Sequence, residues 1–190
     1  MSQALFDVPP QPGDEIPRCT ERVMLDALHK RFGQRSYNGA VEAPRYICAE
    51  HVRAQSGFDR RTADFVAVDT WASSKHVIHG VEVKVSRSDW LRELKDPSKA
   101  GAFTSWVHYW WLAAADASIV REGELPGGWG LLVMRKSRLV ATTRAPRLAA
   151  VPVPPESLAS LLRAVAKTAA RRALETAEIT DPAAGYPAAS

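Results

Sequence analysis

Residues Val77 to Ser86 constrain the fold of this chain most strongly. Val81, Val83 and Val85 alternate with Glu82 and Lys84. A period of two is that of a strand, which places the valines on one face and the charged pair on the other. Ser86-Arg87-Ser88-Asp89 follows at once. It matches a capping box, in which a hydroxyl and an acid three residues later satisfy the free amides of a helix start. Trp90, Leu91 and Leu94 then supply an apolar helical stripe. A strand running straight into a helix points to a mixed α/β architecture.

The rest of the chain fits that frame. Thr20 reads as a helix N-cap, with Glu21 in the first turn, Leu25, Leu28 and Phe32 at helical spacing, and Gly33 as the stop. Asn38-Gly39 and Ser56-Gly57 are turn signals. They bracket a strand over residues 46–52, and a second strand covers 62–70. Pro97 closes the helix after Ser86, and Asp96 with Pro97 opens another that runs to about Trp106. A buried strand spans 108–114, and a hairpin joins 129–134 to 138–143 around Lys136-Ser137. The expected layout is a flexible arm (1–17), a core domain (18–145), a Pro-rich linker (146–155), an amphipathic helix (156–178) and a disordered tail (179–190).

Of the 190 residues, 46% are apolar and 24% charged, enough for a sizeable core. No apolar run approaches the roughly 20 residues of a membrane span. The start of the chain has neither a basic nor an apolar leader, so a cytoplasmic protein is expected. Cys19 and Cys48 are too few and too far apart for a disulfide framework. The five histidines lack zinc spacing, and Gly127-Gly128 lacks the sequel of a phosphate loop. A net charge of +4 permits a nucleic-acid partner without requiring one.

Glu82 and Lys84 point the same way from their strand. Asp64 lies 18 residues earlier, enough for two neighbouring strands and their turn, so it can meet Glu82 across the ladder. Two carboxylates about 4 Å apart repel by on the order of 4 kcal/mol near a protein surface. A hard divalent ion, Mg²⁺ or Mn²⁺, removes that cost and leaves positions for phosphate oxygens. Lys84 beside them can hold a water or steady developing charge. The same pair also fits a solvated charged face, and Glu93-Leu94-Lys95 repeats the spacing on a helix.

Arg61-Thr-Ala-Asp64-Phe-Val-Ala-Val-Asp69, Val81-Glu-Val-Lys84-Val-Ser86 and Ser88-Asp89-Trp90-Leu91 together resemble the PD-(D/E)xK nuclease superfamily. Within it they are most similar to MmcB-like DNA-repair endonucleases and their actinobacterial and phage relatives. The resemblance covers about residues 20–150, with Gly130-Leu-Leu-Val133 and Ala145-Pro146 at its end. It implies a restriction-endonuclease-like core, a mixed central β-sheet flanked by helices, here with an added C-terminal helix. It implies a metal-dependent DNA endonuclease of DNA repair or phage DNA processing, with Asp64 and Glu82 as metal ligands and Lys84 as the catalytic lysine. The backbone carbonyl of Val83 becomes a further ligand. Ala63 stands where the motif has proline. A third acid is often present in this superfamily. Glu50 is the main candidate, and Glu21 the second, its other role being that of a helix-dipole acid. Asp69 is the rival to Asp64 and lies at the far end of its strand.

Candidate DNA contacts are Arg87, Lys99, Arg135, Lys136, Arg138, Arg163, Lys167 and Arg171. The last three lie at i, i+4, i+8 on the final helix, as a phosphate ridge or a solvated helix face. The dense aromatics Trp106, Tyr109, Trp110 and Trp111 read mainly as core, with Trp110 or Tyr109 the candidate for exposure. The alternative function is a non-catalytic DNA-binding module on the same fold. No membrane partner is expected, and a homodimer stays open.

Overall fold

The computed structural model describes residues 19–33, 44–54, 61–96 and 100–180. The expected arm, the tail from residue 181, both early turn signals, Pro97 and Lys99 lie outside them. The elements run α1 (Glu21–Phe32), β1 (Tyr46–Arg53), β2 (Thr62–Asp69), β3 (Ile78–Lys84), α2 (Arg87–Leu94), α3 (Gly101–Thr104), β4 (Tyr109–Ala114), β5 (Trp129–Arg135), β6 (Arg138–Thr143) and α4 (Pro155–Thr180). The architecture is α/β, with one six-stranded mixed sheet whose spatial order is the chain order. β1, β2 and β3 are antiparallel neighbours, β3, β4 and β5 are parallel, and β6 returns antiparallel. The carboxyl ends of β1, β3, β4 and β5 therefore share one edge of the sheet with the start of β2.

Both faces of the sheet are covered. Met24, Leu25, Leu28 and Phe32 of α1 pack with Phe65, Val81, Val83 and Leu132 on one side. On the other, Trp90 of α2 and Phe103 of α3 join Trp106, Trp110, Leu112 and Leu161. Each helix start is set by its side chains. Thr20 Oγ1 accepts from the Val23 amide at 3.4 Å, and Ser86 Oγ accepts from the Asp89 amide at 3.2 Å. Lys136 and Ser137 at φ 46° and 64° make the tight β5–β6 turn, since two left-handed residues give a two-residue turn the right-handed twist of its flanking strands.

Three expectations change. Leu91 of the predicted stripe is 43% exposed, and Glu93 takes the inward position beside Trp90. Among the described residues α3 is one short turn, because Trp106 Nε1 and the backbone close on Ala102 and Phe103 instead of continuing the helix. Trp110 is buried against Phe103 and Trp129 and is not exposed. The Pro-rich stretch has no regular secondary structure and connects β6 to α4. The Leu148 amide donates to the His108 carbonyl and the Val151 amide to Ser105, both at 2.9 Å, which straps this segment across the sheet before α4.

α4 lies along β1 and covers that edge of the sheet. The Thr168 hydroxyl accepts from the Glu50 amide at 2.9 Å, which occupies an edge-strand donor. No described helix is long and apolar enough to cross a membrane.

Candidate functional site

The β2–β3 ladder is paired as far as Phe65 and Val81. One step further it sets Asp64 opposite Glu82, and on the other side of β2 it sets His51 opposite Asp64. Here β2 and β3 part while β1 and β2 stay paired, and between β2 and β3 a side chain replaces the backbone. Asp64 Oδ2 accepts from the Val83 amide at 2.7 Å. The carboxylate is thereby fixed at the fork, with its second oxygen left for other partners.

Glu82 and Lys84 share the sheet face that carries α2. Lys84 Nζ lies 2.6 Å from Glu82 Oε1 and 3.1 Å from Glu93 Oε2. The side chains of Lys84 and Glu82 are only 11% and 14% exposed, which rules out a freely solvated charged face. Asp64, Glu82, Val83, Lys84, Asp89 and Glu93 line one cavity of about 390 Å³, with Glu21 and Arg92 at its walls. Five carboxyl groups there face two cationic side chains.

Burial first, and that imbalance second, set the protonation. Burial, then the neighbouring Asp64 charge, push the Glu82 carboxyl up to about 8, against the pull of Lys84. Burial raises Asp64 as well, partly offset by the Val83 amide and Lys84. Burial alone would lower Lys84, but Glu82 and Glu93 outweigh it and hold the ammonium charged. A buried pocket with surplus carboxyl oxygens and one fixed ammonium has the donor chemistry that hard divalent ions require.

The structure brings Asp64, Glu82 and Lys84 together, with Val83 between them. Of the two candidate third acids, it places Glu21 here. Ligand atoms of Glu21, His51 and Asp64 lie within 4.8 Å of one another, and His51 Nδ1 is 3.8 Å from Glu21 Oε1. His51 has φ 51° near the carboxyl end of β1, a left-handed conformation that breaks the strand's alternation. Glu50 is elsewhere. Its carboxylate accepts both Arg22 nitrogens at 2.9 Å, meets His29 Nε2 at 2.6 Å and takes Arg171 Nη2 at 2.6 Å. Burial would raise its pKa, but the hydrogen bonds from His29 and Arg22 hold it well below the usual carboxylate range. Glu50 is a structural anion between α1 and α4. Asp69 is likewise structural, fixed by Arg45 at 2.8 Å and by the Trp71 amide.

The expected DNA contacts divide. Arg87 is bidentate to Glu124 and donates to the Ile119 carbonyl at 2.7 Å, so its guanidinium is committed within the protein. Arg171 is paired with Glu50 and Glu175. Arg163 and Lys167 are exposed on α4, and Arg135, Lys136 and Arg138 are exposed at the β5–β6 turn. That turn lies at the sheet edge holding the cavity, on the order of 10 Å away at about 4.8 Å per strand. Lys99 lies outside the described residues.

Sequence reasoning missed Glu93, Asp89, Arg92 and His51. Glu93 had a readable signal, since it is three residues after Trp90 and so on the same helix face. Nothing in the sequence announces the positive φ that turns His51 toward Asp64.

No protein-family model matches the chain, and no curated protein matches it. Among solved structures, the chain is similar to a protein of unknown function from Silicibacter pomeroyi. The two are 21% identical with a TM-score of 0.49, over 77% of this chain and 86% of the other.

Proposed function

We propose that this chain is a metal-dependent nuclease that hydrolyses DNA phosphodiester bonds, acting as an endonuclease in cytoplasmic DNA repair or phage DNA processing. The observation that carries the reading is the single cavity in which Asp64 and Glu82 converge with an ammonium clamped by Glu82 and Glu93. A mixed sheet flanked by helices, with these residues at its edge, also agrees with the restriction-endonuclease-like core that the sequence resemblance implies.

Asp64 and Glu82 would hold Mg²⁺ or Mn²⁺, with the Val83 carbonyl as the further ligand the resemblance suggests, and with Glu21 rather than Glu50 as the added acid. When bound, such an ion polarises a phosphoryl oxygen and acidifies water. The Val83 amide keeps Asp64 at the fork of the two strands. Glu93 keeps Lys84 extended and charged. Lys84 orients the attacking water and stabilises negative charge that grows on the phosphoryl oxygens. The basic β5–β6 turn meets the phosphate backbone on the same edge.

The test is cleavage of single-stranded, duplex and branched DNA by the purified protein in Mn²⁺ and in EDTA. Cutting of at least one substrate is expected in Mn²⁺ alone, with Lys84→Ala slower by about 10²–10³-fold. Absence of cutting on all three across a range of salt overturns the nuclease reading. Binding without cutting would instead identify a DNA-binding module on this fold.

A further inference from the structure

A second cavity, of about 340 Å³, lies between β1 and α4. Its charged wall is made of Arg53 from β1 and Arg163, Lys167 and Arg171 from successive turns of α4. Arg171 is neutralised by Glu50 and Glu175. Glu50 is the one carboxylate in the wall, and Arg22, His29 and Arg171 saturate it. Arg53, Arg163 and Lys167 have no ion-pair partner among the described residues, and all three are exposed. Like charges held together on two rigid elements raise the local potential and favour an anion.

The position of this cleft is what gives it meaning. His51 lines it and also belongs to the cluster with Glu21 and Asp64, so one imidazole separates the cationic cleft from the acidic cavity. The two sites are adjacent and opposite in sign, one rich in surplus carboxylates and one in surplus cations. A polyanion crossing this sheet edge meets both.

We infer that the β1–α4 cleft is a phosphate subsite that seats a backbone phosphate of a single nucleic-acid strand beside the hydrolytic cavity, with Arg53, Arg163 and Lys167 as its ligands. It rests on the nuclease reading for its biological purpose but not for its chemistry, because phosphate capture by these cations needs no metal. Arg53 lies outside the α4 ridge that the sequence pattern singles out. It turns that ridge from a convex helix face into one wall of a cleft.

The test is fluorescence anisotropy of a labelled 12-residue oligothymidylate with the full chain in EDTA, across a salt series. Neutralising a phosphate of a single strand contributes about 0.7 to the slope of log affinity against log salt. Arg53→Ala and Lys167→Ala should each weaken binding and reduce that slope by about 0.7, and the double variant by about twice that. Lys75→Ala, an exposed cation at the opposite end of the sheet, should leave the slope unchanged. Equal thermal midpoints would show that the variants are folded, as neither Arg53 nor Lys167 is in an ion pair among the described residues. Wild-type affinity and slope in both single variants would overturn the subsite, as would loss no greater than that of Lys75→Ala. Failure of DNA cleavage in Mn²⁺ with this binding intact would remove the nuclease reading and leave the subsite standing.

Discussion

Glu82 is the residue on which the electrostatics of the site turn. Its folded pKa, about 8, lies above the ordinary carboxylate value because burial and Asp64 disfavour the charge. The native state therefore binds a proton that the unfolded chain gives up near pH 4.5. That contribution to stability is complete below the unfolded pKa and is lost as pH rises to about 8. Each pH unit between the two values is worth about 1.4 kcal/mol. The metal-free protein should thus lose thermal stability between pH 5 and 8, read by circular dichroism. Glu82→Gln, which cannot ionise, should flatten that decline and raise the midpoint at pH 8 while abolishing cleavage. A divalent ion should reverse the effect, and its binding at pH 7 should release close to one proton, measurable by calorimetry in buffers of different ionisation enthalpy. This residue was legible in the sequence, because alternation along one strand fixes which side chains share a face. Its partner Glu93 was hidden by the habit of reading charged helix residues as solvated.

At the scale of elements, α4 and β1 depend on one anion. Removing a partner from a buried ion network leaves uncompensated charge, at about 3–5 kcal/mol. Arg22 and Arg171 are partly exposed and can hydrate, so Glu50→Ala should cost nearer 3 kcal/mol, seen as a lower urea midpoint and faster amide exchange in α4. Because the pKa of Glu50 is depressed, its contribution is present above the unfolded carboxylate range and fades as pH falls toward the folded value. Strands can be sensitive where they carry no charge at all. A Cβ on Gly130 would come within 2.4 Å of the Trp111 ring and 2.6 Å of the Ala145 backbone nitrogen. Gly130→Ala should therefore destabilise by about 1–3 kcal/mol, measured by chemical denaturation. The six strands and the first two helix caps were readable, since they rest on local periodicity and capping chemistry. The strapping of residues 144–154, the brevity of α3 and the role of Glu50 were not, since each depends on residues far away in the chain.

At the scale of the molecule, the sheet edge gathers what the sequence distributes. His51 and Arg53 end β1, Asp64 begins β2, Glu82 and Lys84 end β3, and the basic turn follows β5. Open α/β sheets bind ligands beyond the carboxyl ends of their parallel strands. A net charge of +4 describes the surface poorly, because acids and cations are sorted into neighbouring cavities. The residue spacing predicted the first cavity; the second needed the packing of α4 on β1, which pairs the chain's first strand with its last described helix.

That pairing has a consequence for how the protein is made. With strands ordered as they leave the ribosome, each new strand can add to a growing edge, from β1 outward to β6. β1 keeps one flank bare until α4, more than a hundred residues later in synthesis, folds back over it. The cationic cleft, whose wall runs to Arg171, therefore forms only after the whole sheet has been synthesised, so the strands exist before the cleft that would seat a phosphate.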